Sequence, residues 1–429
     1  MSRRPDGVGR GGALRRVFAD TRPLHQPDFR RLWLANVVTV IGAQLTVVAV
    51  PAQIYQLTGS SGMVGLTGVF GLVPLVVFGL WGGALADHFD RRRLLEITTT
   101  GLIVTSGLLW AQAAAGADNV WLLLATFSAQ QAFFAVNQPT RVAILPRILP
   151  AELLPAANAL NMTVMSAGAI AGPLVGGALI PVLGYAWLYL IDTLTLTVTL
   201  YAVWRLPRMP VLGRTGAPGL SSVIDGFRYL AWHKILLLSF LVDLIAMVFG
   251  MSRALFPEVA HTVFGGPAEG GWELALLYAG MPAGTVLGGI LSGWLSGVRR
   301  QGAAVLAAIA GWGISMALLG LAVGWAPGAA RTMLVVSVVL LMAGGLADMV
   351  SAAIRQTILL TASDDDVRGR LQGVFIVVVA GGPRVADVLH GWASEAVGPA
   401  AAIGGGGVLV VLGIVTVALA APSFRRYRP

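Results

Sequence analysis

Residues 62–86 read GMVGLTGVFGLVPLVVFGLWGGALA, residues 87–93 read DHFDRRR, and residues 94–115 read LLEITTTGLIVTSGLLWAQAAA. Two long apolar runs are joined by seven residues that hold five charges. A helix of about 20 residues rising ~1.5 Å per residue crosses the hydrocarbon core of a bilayer. Barrel strands would instead alternate apolar and polar positions over about ten residues. Neither run alternates, and both are rich in Leu, Ala, Gly and Val. The segment predicts two membrane-spanning helices joined by a charged turn at the membrane surface.

The same pattern extends along the chain. Twelve apolar stretches stand at about 32–56, 62–86, 94–115, 119–137, 158–182, 185–204, 235–257, 273–296, 302–324, 332–354, 371–393 and 398–420. The composition agrees: of 429 residues, 56% are apolar and only 11% charged, with a mean hydropathy of +0.78. A soluble domain carries about 25% charged residues, so a cytosolic globular enzyme is excluded. The fold class expected is an all-α integral membrane protein of twelve transmembrane helices in two pseudo-symmetric six-helix bundles. Residues 1–31 form a basic tail without an apolar signal-peptide core, and the first span is expected to stay uncleaved.

The bundles are expected at 32–204 and 235–420, separated by a polar cytoplasmic loop at 205–234 and followed by a tail at 421–429. With both termini cytoplasmic, 26 of the 29 Arg and Lys residues fall in cytoplasmic segments, as the positive-inside rule requires. Only Arg253, Arg331 and Arg384 fall elsewhere. The isoelectric point near 10.7 is thus a topology signal, and no nucleic-acid partner is expected. The halves also repeat. At an offset of 214, Arg141-Val-Ala-Ile-Leu145 lies over Arg355-Gln-Thr-Ile-Leu359, Glu152 over Asp366, and Asn158 over Gln372. At an offset of 206 the Gly83 stretch corresponds loosely to the Gly289 stretch, with Gly293 in place of Asp87. Two similar halves around a central loop are the architecture of a secondary transporter, whose site lies at the midplane between them.

Charges within the apolar runs are functional candidates, because each is expensive in lipid. Asp243 lies eight residues into its span, about 12 Å deep. Asp192 and Asp348 lie in the sixth and tenth spans. Arg384, Asp387 and His390 recur at three-residue intervals and share a helix face, as a fixed salt bridge or as a coupling group. A buried carboxyl exchanging a proton as access alternates is what a proton antiporter requires. Arg355 is an available partner for Asp348. Arg253 either attracts an anionic substrate or snorkels to the interface. Gln131, with Gln44, Gln53, Gln130 and Asn137, lines a polar cavity or makes helix–helix hydrogen bonds.

Other chemistry is absent. There are no cysteines, the five histidines are scattered without metal-ligand spacing, and the sole lysine, Lys234, follows His233 rather than a P-loop glycine. No serine sits in a nucleophile elbow. Neither enzymatic activity, cofactor nor metal is expected.

Gly83-x-Leu85-Ala86-Asp87-His88-x-Asp90-Arg91-Arg92 resembles the signature loop of the major facilitator superfamily. The resemblance implies a latch that holds the cytoplasmic side during a rocking cycle, built on Gly83, Asp87, Asp90, Arg91 and Arg92. Asp87 ends a helix, where the dipole disfavours a carboxylate, so it requires a cation or another helix's N-terminus. Gly168-x-x-x-Gly172-Pro173-x-x-Gly176-Gly177 resembles the antiporter motif of the exporter branches. Val50–Tyr55, Gly226–Leu230, Arg253–Pro257, Leu276–Pro282 and Arg368–Gly373, in order, resemble the enterobactin-type siderophore exporters. Macrolide-type efflux proteins share the broader pattern. The resemblance implies a proton-driven, monomeric exporter of an amphipathic small molecule in a bacterial plasma membrane: a siderophore first, a drug such as a macrolide second.

Overall fold

The computed structural model describes residues 20–209, 228–362 and 368–428; the side chains of 80–88, 296, 368–370 and 372–377 are outside that description. Within it the chain is helical throughout and twelve helices span the bundle. They are α1 (Pro27–Thr58), α2 (Ser61–His88), α3 (Arg91–Ala114), α4 (Val120–Ile148), α5 (154–183), α6 (185–204), α7 (Lys234–Gly250), α8 (Trp272–Ile290), α9 (Gln301–Gly324), α10 (Ala330–Ala362), α11 (Arg368–Val397) and α12 (Pro399–Ala420). With no water in the hydrocarbon core, every backbone N–H and C=O must be satisfied internally, and helices do this within each span.

Local chemistry sets the joints. Pro27 and Pro399 open α1 and α12 at the first helical turn, where a missing N–H costs nothing. The Asp90 carboxylate caps α3 by accepting from the Arg93 N–H at 3.1 Å, and Asn119 caps α4 through the Leu122 N–H at 3.1 Å. Between α5 and α6 there is no loop. The backbone turns at Gly184 alone, whose φ of +76° lies in the left-handed region that glycine enters without penalty.

Several spans run past the apolar edges read from the sequence. Helix α1 starts at Pro27 rather than 32, α10 extends to Ala362 rather than 354, and α4 continues through Pro139 and Pro146 to Ile148 rather than ending near 137. The apolar count ends where side chains leave lipid, whereas the hydrogen-bond ladder continues into the interface. The seventh span does the reverse: α7 stops at Gly250, and 3-10, α and π turns carry the chain to Val263.

In the first half α1 packs on the α5–α6 pair, and α3 on α4 and α6; in the second, α9 packs on α10 and α12, and α8 on α10. The halves meet along two seams, α2 with α11 and α5 with α8. Both seams depend on glycine. A Cβ at Gly65 would lie 2.6 Å from the Asp387 carbonyl oxygen, and one at Gly177 2.8 Å from the Ala275 Cα. Trp121, Trp187, Trp272 and Trp325 at one end, and Trp204 and Trp294 at the other, are more than half exposed. They form the aromatic belts of the two membrane interfaces.

The Gly404–Gly407 run serves packing, and unevenly. Gly407 lies against the backbone of Gly313 and Ala317 on α9, whereas nothing lies within 4 Å of a Cβ at Gly405. Gly407→Val is therefore expected to destabilise the fold by about 1–3 kcal/mol through overpacking, and Gly405→Val to leave it unchanged. Thermal unfolding of both variants in detergent checks this contrast.

Candidate functional site

Among the described residues, the C-terminal half holds two ion pairs. Asp243 on α7 pairs with Arg355 on α10, the two side chains only 1% and 4% exposed, and the Arg355 Nε–H also donates to Ser351 at 3.1 Å. Asp243 has no cation near it in sequence; the fold supplies one from three spans later. The expected partnership of Asp348 with Arg355 is corrected accordingly. Arg355 turns to α7, and Asp348 Oδ1 has no hydrogen-bond partner. Two carboxyls thus stand near one guanidinium.

The second pair joins Arg253, just past α7, to Asp387 on α11. It is bidentate, Nε to Oδ1 at 3.0 Å and Nη2 to Oδ2 at 2.8 Å, the geometry that suits a guanidinium fork best. Arg253 therefore neither snorkels nor stands free for an anion. The Arg384–Asp387 salt bridge read from their three-residue spacing is also corrected, because Arg253 approaches from a neighbouring element and saturates the carboxylate. His390, one turn further, engages the Phe249 carbonyl at 3.0 Å, at the end of the α7 ladder.

Arg384 crosses instead to the other half. Its Nη2 donates to Gln131 Oε1 on α4 at 3.1 Å, and its guanidinium lies 5.6 Å from the centre of the Phe127 ring, within cation–π range. This contact sits near mid-depth. The other cross-half hydrogen bonds among the described residues lie at the end away from the termini: Ser61 to Glu258 at 2.6 Å, Gln56 to Glu269 at 3.2 Å, Tyr185 to the Glu269 carbonyl at 2.7 Å, Ser60 to Glu395, the Gly62 N–H to Glu395 at 3.1 Å, and the Gly271 N–H to the Gly177 carbonyl at 2.9 Å.

In the N-terminal half, Asp192 is 2% exposed and its Oδ2 accepts from Thr46 at 2.9 Å and Ser106 at 2.8 Å, while Oδ1 has no partner. Hydroxyls, not cations, surround it. Gln53 accepts from the Tyr189 hydroxyl at 2.8 Å, and Asn137 donates to Thr98 and Thr99 at 2.9 and 3.1 Å. Both amides join neighbouring helices, and Gln53 also lines a cavity with Gln56, Gln112 and Tyr185.

Of the expected latch, Gly83 and Asp87 lie outside the described side chains. Asp90 caps α3 and accepts from the Met209 N–H at 2.9 Å. Arg91 reaches the Ala143 carbonyl at 2.8 Å, and Arg92 reaches Glu96 and the Leu206 carbonyl at 2.8 and 2.7 Å. These residues bind the α2–α3 turn to α4 and to the segment after α6. Gly168, Gly172 and Gly176 form one stripe against Val40, Gln44 and Leu45 of α1, with Pro173 buried beside them, while Gly177 faces α8 of the other half.

Sequence reasoning missed Glu258, Glu395 and the serines around them, which stand just beyond or between apolar runs. It also missed the contact of Arg141 with Asn36, although Arg141 heads the 214-residue repeat that places it over Arg355. The Asp243–Arg355 pair has a measurable signature. Asp243→Asn removes the ion-pair partner of Arg355 and leaves only Asp348 near it, and is expected to destabilise by about 1–3 kcal/mol, whereas Asp243→Asn with Arg355→Gln recovers part of the loss. Equilibrium unfolding of the two single variants and the double variant reads this coupling.

Comparison with known proteins places this geometry. The family described as transmembrane secretion effector matches residues 19–426. The enterobactin exporters of Shigella boydii and Escherichia coli are 28% identical over 420 residues, covering 94% of both chains. Among solved structures, a nucleoside transporter superposes with a TM-score of 0.72 at 12% identity, covering 92% of this chain and 98% of that one. A D-xylose–proton symporter gives 0.68 at 13%, covering 94% and 99%. These two share the fold. The chain belongs to the transmembrane secretion effector family of the major facilitator superfamily, and it is a membrane transporter.

Proposed function

We propose that this transporter exports an amphipathic small molecule, a siderophore in the first instance, in exchange for protons across a bacterial plasma membrane. The observation that carries the reading is the mid-depth contact of Arg384 with Gln131 over Phe127. At that one level both halves present a cation, an amide and an aromatic face together. Such a surface suits a ligand with aromatic rings and hydroxyl groups, which stacks on the ring and hydrogen-bonds the amide. The similarity to enterobactin exporters along nearly the full length supports the same substrate class.

The positive-inside tally supports cytoplasmic termini. In this reading the chain is loaded from the cytoplasm and releases its substrate at the far end, where the described cross-half hydrogen bonds must break. Coupling belongs to Asp243, Arg355 and Asp348. A proton on Asp348 leaves two carboxyls and one guanidinium with no net charge, so the group crosses the rocking transition without exposing charge to lipid. The Gly83–Arg92 turn acts as the cytoplasmic latch and the Gly168–Gly177 stripe as the smooth surface on which α5 slides. One chain holds both halves and works as a monomer.

The test is secretion from an iron-starved bacterium that lacks its own catecholate exporter. Restored siderophore in the medium, abolished by an uncoupler, is the expected result. No restoration, with the protein present in the membrane, favours the macrolide-type drug-efflux reading and a resistance panel. Within the same assay, Asp348→Asn is expected to permit downhill flux and abolish accumulation against a gradient; a variant that still concentrates substrate removes Asp348 from the coupling group. Asp87→Asn is expected to slow secretion with membrane insertion intact, and undiminished secretion would sink the latch.

A further inference from the structure

The two halves treat one pseudo-symmetric position differently. Asn36 stands nine residues after the first residue of α1, and Asp243 nine after the first of α7. Arg141 stands seven residues before the last of α4, and Arg355 seven before the last of α10. In the C-terminal half the arginine meets the Asp243 carboxylate. In the N-terminal half Arg141 Nη1 donates to the Asn36 amide oxygen at 2.5 Å, and the buried Arg141 Nε has no acceptor. The repeat thus contains the same arginine twice, neutralised once.

Among the described residues this buried guanidinium has only an amide for a partner, and a buried charge without a counter-charge is costly unless an anion visits it. Its position is right for a visitor. Arg141 lies ten residues beyond Gln131 on α4, about 15 Å along the axis and within a quarter turn of the same face. Gln131 marks the surface that looks across to the other half. Arg141 is half-buried rather than sealed, whereas Arg355 is 4% exposed. Its planar fork accepts two oxygens side by side. The Asp243 carboxylate shows, at the equivalent place, what would occupy it.

We propose that Arg141 and Asn36 form an anion subsite that takes an organic oxyanion, a carboxylate or an ionised aromatic hydroxyl, of the molecule being transported. It lies between the C-terminal end of α4 and the mid-depth contact, so in the export reading the anion engages first and the remainder of the molecule then reaches Arg384 and Phe127. The inference deepens the export reading, on which it rests for the direction of passage alone.

The test uses the full chain in lipid nanodiscs, with benzoate as the anionic probe and benzamide as its uncharged counterpart, measured by titration calorimetry. The wild type is expected to prefer benzoate by about tenfold or more, the worth of one charge-assisted contact. Arg141→Gln is expected to lose the preference. Asn36→Asp places the built-in carboxylate of the other half beside Arg141, so it keeps the arginine paired and the fold intact while removing the same preference. Equal binding of both probes by the wild type, down to no binding of either, overturns the subsite. So does a preference that survives Asn36→Asp, one that disappears only in Arg384→Gln, or one displaced by chloride at equal concentration. Secretion failing with the benzoate preference intact sinks the export reading alone; secretion intact with no preference sinks the subsite alone.

Discussion

A charge in a low-dielectric interior has to be met by an opposite charge or by enough dipoles, and this single requirement organises the bundle. Asp243 and Arg355 fasten α7 to α10, and Arg253 and Asp387 fasten the end of α7 to α11. Helix α7 is the short one, only 17 residues before its ladder breaks, and it is held by two ion pairs where other helices are held by surface fit. The N-terminal half uses neutral devices for comparable tasks. Hydroxyls of Thr46 and Ser106 surround Asp192, and amides of Gln53 and Asn137 tie α1 to α6 and α3 to α4. Among the described residues, the buried ion pairs thus stand in the C-terminal half, and in the N-terminal half Arg141 and Asp192 are met by an amide and by hydroxyls.

Where charge is not the constraint, close approach is. Lipid tails are as apolar as leucine, so helices gain little by burying bulk and much by fitting backbones together. The stripe Gly168, Gly172 and Gly176 lets α5 lie on α1, and Gly65 and Gly68 let α2 lie on α11. Both seams between the halves include such glycine contacts, at Gly65 and Gly68 against α11 and at Gly177 against α8. Surfaces of that kind separate and re-form with little repacking of side chains.

The fold was legible because its determinants are local and long. Twenty apolar residues in a row admit one structure in lipid, and the 214-residue offset exposed the second half. Single residues were read less well. Asp243 looked isolated because its partner lies on a helix that the sequence does not show to be adjacent, and Arg384 looked paired with Asp387 because spacing reports one helix face while Arg253 and Gln131 arrive from elsewhere. Spacing ranks neighbours within a helix; it is silent about which helix packs opposite. The carboxyls at Glu258 and Glu395 escaped because they stand outside the long runs, where acids are unremarkable until a serine from the other half closes on them.

The hydrogen bond from the Gly271 N–H to the Gly177 carbonyl has its origin in Pro181. Proline carries no N–H, so within α5 the carbonyl four residues earlier has no helical donor, and the loop before α8 provides one from the other half. Gly271 does so with a φ of +126°, a backbone shape closed to side-chain-bearing residues. When the halves part at this end, that carbonyl loses its donor in a place where no helix can replace it. Solvent must then enter the seam as it opens. Parting of the halves at this end is in this respect tied to the arrival of water, because the same bond that closes the seam leaves a thirsty carbonyl when it breaks.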